Sequence, residues 1–127
     1  MQASLIRIKA FLKYAGVHLD DAGEEAFAMR NEEAVTRCSD AAVAMIKAVD
    51  AALASGKARQ ACEDPGILQK MISQISFDQN EAKRLAGDLF DLVQARDKDF
   101  PVDEASMLIR KGRELLDEVK RLCLPVH

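Results

Sequence analysis

NEEAVTRCSDAAVAMIKAVDAALASG, residues 31–56, is the stretch whose reading decides the fold. Ala34, Cys38, Ala41, Met45, Ala48 and Ala52 recur in one heptad phase, and Val35, Ala42, Ile46, Val49 and Leu53 widen the stripe beside them. That spacing gathers apolar atoms on one side of a helix, whereas a strand of the same sequence has no consistent face. Phe27 extends the phase backwards, and Asp21 with Glu24 forms a capping box, so one helix from about Asp21 to Ser55-Gly56 is expected. Unbroken, it is on the order of 50 Å long at 1.5 Å per residue. Asn31 followed by Glu32 and Glu33 marks a place for a kink or a fresh start.

The same amphipathic pattern continues on both sides. Upstream, Leu5, Ile8, Phe11, Leu12 and Ala15 make one stripe, so a first helix is expected from about Ala3 to Ala15. Gly16 is placed to stop it in a left-handed conformation, with Val17 folding back on Phe11 or Leu12. Downstream, Lys57 to Glu63 reads as a connector with one loose turn, and Asp64-Pro65 as a capped restart. A third helix follows through Leu68, Ile72, Ile75, Gln79, Ala82, Ala86, Leu89 and Val93 to about Arg96. Continuity is preferred over a break at Phe77, although Asp78 with Glu81 is a second capping box and Phe77 is placed to staple against Ala82. Gln79, polar within the seam, is expected to find Thr36 or Ser39 across the core. Phe100-Pro101 ends that element, Asp103 caps a last helix carrying Met107, Leu108, Leu115, Leu116, Val119 and Leu122, and Pro125 closes it. His127, at the end, is expected to fray.

The expectation is therefore one all-α domain over residues 1–127, an antiparallel up-and-down four-helix bundle with coiled-coil-like packing. It becomes five or six helices if the long ones break near Asn31 and Phe77. The alanine-rich stretch from Ser39 to Ser55 resembles in composition the helices of the talin and vinculin class of bundles, a likeness that implies bundle packing alone.

Composition bounds function mainly by exclusion. The 127 residues are 49% hydrophobic and 31% charged with a net charge of -3, which excludes a disordered chain and gives no general attraction to nucleic acid. Locally, Arg7, Lys9 and Lys13 face no acid in the first nineteen residues, while Asp20 to Gly56 holds eight acids, so the basic first segment is expected to lie on the acidic second one. These cations also interrupt any signal-peptide core in Met1 to Val17. Cys38, Cys62 and Cys123 are odd in number and lack metal-ligand spacing, which fits free thiols in the cytoplasm, with Cys62 beside Arg59 the most exposed.

No catalytic, metal or cofactor motif stands out, so the chain is expected not to be an enzyme and to need no cofactor. His18 is placed in a turn beside Asp20 and Asp21, without the lysine and helix face a phosphorelay histidine requires. Glu24-Glu25, Glu32-Glu33 and Asp103-Glu104 read as solvated or helix-start charge. Arg110, Lys111, Arg113, Lys120 and Arg121 interleave with Glu114, Asp117 and Glu118 as an ion-paired face and not as a nucleic-acid surface.

An adaptor-like interaction module remains, self-associating or presenting a helix face to a protein. A short first helix leaves the long pair uncovered at one end, exposing Phe27, Met29 or Phe90 as an interface. Lys9 and Lys13 on the first helix are the further candidates, for a partner groove or, less favoured, a membrane surface. A phosphorelay or small enzyme built on His18 is the alternative from another class.

Overall fold

The computed structural model describes residues 2–97 and 102–124. They form six helices and, among the described residues, no strand: α1 Gln2–Phe27, α2 Asn31–Leu53, α3 Ala58–Glu63, α4 Pro65–Ser73, α5 Gln79–Gln94 and α6 Val102–Cys123, with a 3-10 turn at Ala95–Asp97. The all-α expectation holds in its six-helix form. Phe100, Pro101, Pro125 and His127 lie outside the described residues, as does the side chain of Asp103.

α2 is the hub. Its buried residues include Ala34, Ala41, Ala44, Ala48 and Ala51, and they cover most of its circumference instead of one stripe. Small side chains let neighbouring helices approach closely, and α2 touches all five other helices. Met45, Ile46 and Val49 fill the remaining space against Leu19, Leu68, Ile72, Leu89 and Leu115, all fully or almost fully buried.

Ion pairs fix the directions. Arg113 meets Asp20 at 3.1 Å while Gly16 faces Leu116, so α6 runs antiparallel to α1. Arg84 meets Glu118 at 2.8 Å and Lys111 meets Asp88 at 2.9 Å, so α6 also runs antiparallel to α5. With the α1–α2 hairpin, the four longer helices alternate up and down, and α3 and α4 occupy the crossover between α2 and α5. The backbones of α1 and α5 do not approach each other among the described residues, which leaves part of α2 uncovered between them.

Three boundaries differ from expectation. α1 runs through Gly16 instead of stopping there, because Leu19 and Ala22 continue its core stripe and are fully buried. A mid-helix glycine costs only about 1 kcal/mol against alanine, less than the roughly 2 kcal/mol gained by burying one leucine. Val17 accordingly points outward at 46% exposure and does not fold back. The real stop is Met29, left-handed at φ 64, with its N–H donating to the Ala26 carbonyl and the Arg30 N–H to the Glu25 carbonyl. That is a Schellman terminus without glycine. The fresh start at Asn31 follows directly, and the capping box at Asp21 and Glu24 falls inside α1.

The second difference is the break between α4 and α5. The Ser76 hydroxyl donates to the Asp78 carbonyl and accepts from the Asp78 N–H, while the Asp78 carboxylate accepts from the Asn80 and Glu81 N–H groups. These local bonds replace the helical ladder and win over seam continuity. Phe77 does not staple against Ala82 but is fully exposed, and Gln79 stands at the surface, far from its expected place in the core. Third, the connector from Lys57 holds a real helix, α3, after Asp50 accepts from the Ser55 hydroxyl and the Lys57 N–H to end α2. The Asp64 restart is as expected, its carboxylate accepting from the Gly66 N–H at 2.8 Å.

The partner of Ser39 is Val93. The fully buried Ser39 hydroxyl donates to the Val93 carbonyl at 2.6 Å and accepts from Arg96 Nε at 2.9 Å, pinning α2 to the end of α5. Ser39→Ala should therefore cost roughly 1–2 kcal/mol by leaving the buried Val93 carbonyl without its donor. Urea denaturation should show that loss, with a clearly smaller one for Ser73→Ala, whose hydroxyl only bonds back to Gln69 of its own helix.

Candidate functional site

Two surfaces stand out. The first is the groove over α2 where α1 and α5 separate. It consists of two hollows, of about 500 and 440 Å³, that share Val43, Lys47 and Arg96. The larger is walled by Val43, Ala58, Cys62 and Val93 and edged by Arg59, Glu63 and Asp97. The smaller holds Phe11, Tyr14 and His18 from α1 opposite Asp40 and Lys47 of α2. Arg96 bonds Asp40 at 3.3 Å, and the groove carries as many acids as cations, so it has no net preference for charge.

His18 sits on the α1 helix face and not in a turn, because α1 does not stop at Gly16. Its Nδ1 is buried without a hydrogen-bond partner. The lysine that its sequence neighbours lack comes from across the groove, as Lys47.

The thiols are quiet. Burial pushes Cys38 and Cys123 up to about 12, and burial also raises Cys62, opposed by the charge of Lys47. Cys62 is half-buried at the groove wall, less open than expected, and a protonated thiol is a poor nucleophile. Among the described residues, no group of three or more His, Cys, Asp or Glu is placed to hold a metal ion, and no helix is long and apolar enough to cross a membrane.

The second surface is the outer face of α1. Ile6 is 68% exposed and Phe27 is 92% exposed, although Phe27 had been expected in the α2 seam. Between them Lys9, Lys13, Val17, Asp20 and Glu24 are exposed on the same side of the helix. Lys9 and Lys13 do not lie on the acids of α2; α1 packs on α2 by its opposite, apolar side. Of the expected interface residues, Phe27 and Met29 are exposed together at the α1–α2 turn, whereas Phe90 is half-buried on α5, away from that turn. The reason for their exposure also differs: α1 is 26 residues long and α2 is 23, so no end is left bare by a short helix.

The face of α6 is paired across helices and not along its own: Arg113 with Asp20, Lys111 with Asp88, and Arg121 with Glu81. The groove is not legible in the sequence, since it unites residues from four helices and the 3-10 turn. The α1 face was legible, since Ile6, Ala10 and Val17 form a second apolar line opposite the core stripe.

Comparison with family models, with curated proteins and with solved structures finds no match to this chain.

The raised thiols give stability a pH signature. Unfolded thiols ionise near 9.0, whereas folded Cys38 and Cys123 keep their protons to about 12. Their contribution is complete below 9 and is lost as pH rises from 9 towards 12, by up to about 1.4 kcal/mol per pH unit and thiol. The Cys38→Ala/Cys123→Ala variant should show a visibly flatter fall of stability across that window in chemical denaturation.

Proposed function

We propose that this chain is a non-enzymatic protein-interaction module that associates with a second copy of itself through the outer face of α1. One observation carries the reading: α1 is apolar on two opposite sides, one fully engaged by α2 and α6, the other presenting Ile6, Val17 and Phe27 to solvent. Isolated exposed apolar residues are ordinary, but several aligned on one helix with the exposed Lys9 and Lys13 between them form a surface that another protein can cover. The charges on the face favour the same reading: Lys9 and Lys13 stand towards one end of it and Asp20 and Glu24 towards the other, all exposed.

Val17 lies at the middle of that face. Light scattering of the unmodified chain should show mass rising with concentration, and Val17→Asp should hold it at the monomer mass while the helical circular dichroism is unchanged. A strictly monomeric unmodified chain at several hundred micromolar would remove the proposal.

A second reading is favoured by the placing of His18. On a helix face, with Lys47 and Arg96 lining the same hollow, it meets two requirements of a phosphoryl acceptor that its local sequence does not. Incubation with acetyl phosphate followed by intact-mass measurement tests it: a phosphoryl adduct labile to acid and absent from His18→Ala would favour a relay component, and no adduct would dismiss one.

A further inference from the structure

The α1 face is self-complementary in a particular register. Ile6, Lys13, Asp20 and Phe27 follow one another at intervals of seven residues, so they share one line along the helix, with Lys9 and Glu24 beside it. Read from either end, the line runs apolar, charged, charged, apolar, and the charges are opposite in sign. Reversing one copy against another about a twofold axis between Gly16 and Val17 brings Ile6 opposite Phe27, Lys9 opposite Glu24 and Lys13 opposite Asp20, each twice.

We infer that two copies of this chain pair through antiparallel α1 helices in this register, a statement that rests on the self-association proposed above and names its geometry.

Three further observations support it. Beside Phe27 is a hollow of about 300 Å³ formed with Gly23, Ala26, Ser106 and Ile109, at the place where Ile6 of the second copy arrives. Among the described residues Lys9 and Lys13 have no ion pair, and Asp20 keeps 69% of its side chain exposed even while one oxygen meets Arg113. The acidic half of the face also disfavours the competing occupant: Asp20, Asp21 and Glu24 on α1 would repel an anionic membrane that Lys9 and Lys13 attract.

The size of the interface sets its strength. From Ile6 to Phe27 the face is about 32 Å long at 1.5 Å per residue. A helix pair of that length buries on the order of 800 Å² in total, below the roughly 1,200 Å² of stable complexes. The dimer is therefore weak, reversible and sensitive to salt.

Charge exchange tests the register. Lys9→Glu/Lys13→Glu makes the face wholly acidic, and Asp20→Lys/Glu24→Lys makes it wholly basic. At low salt and several hundred micromolar, sedimentation should show each variant alone associating at least roughly tenfold more weakly than the unmodified chain. An equimolar mixture of the two should recover a dimer, and so should one chain carrying all four changes. Melting curves confirm that each variant is folded, since Asp20→Lys removes the Arg113 pair. If the unmodified chain dimerises but neither the mixture nor the fourfold variant does, the register is wrong while self-association stands. If the unmodified chain stays monomeric, both fail. Sedimentation of a monomeric chain with phosphatidylserine vesicles, abolished by Lys9→Glu/Lys13→Glu, would assign the face to a membrane instead.

Discussion

Close approach to α2 is the constraint on which the rest depends. A helix buried over most of its circumference must offer small side chains where neighbours cross it, and Ala34, Ala41, Ala44, Ala48 and Ala51 do so. Larger residues at these sites would push α1, α5 or α6 outward and open the space that Met45, Ile46 and Leu89 now fill. The buried polar bond that joins α2 to α5, from Ser39 to the Val93 carbonyl, is possible for the same reason: only a small side chain leaves the two backbones near enough.

Clamping α2 on so many sides also determines what is left over. Among the described residues, α1 has α2 and α6 on one side and no helix on the other, and the α5 backbone stays away from it. Its outer line is thus free of the packing demands that fix the inner one. That line carries apolar residues at its two ends and opposite charges between them, and not a random solvated mix.

Helix content and the Asp64 cap were legible in the sequence, and the Asn31 restart and the Asp78 cap were visible as alternatives to longer helices, because each cap is decided within about four residues. Boundaries set by competition were not. Gly16 looks like a terminator locally, but the burial of Leu19 and Ala22, two turns of packing further on, outweighs it. The seam through Gln79 keeps heptad phase on paper, yet Ser76 and Asp78 satisfy the backbone before the helix can pass. Met29 as a left-handed stop runs against propensity altogether. The groove was hidden for another reason: Val43, Arg59, Val93 and Phe11 have no relation in sequence until four helices are assembled.

The order in which contacts are separated along the chain has a kinetic meaning. The largest interface joins α1 to α2, neighbours linked by three residues, and it requires nothing made later. During synthesis this hairpin can close while the remaining segments are still being added, since contacts of short loop span cost little entropy to form. α6, which touches α1, α2 and α5, arrives last and completes the interior. Until it does, Leu19 and Leu92 on the nascent hairpin and α5 lack the backbone of Gly112 that later seats between them, so the final helix acts as the latch of the folding reaction.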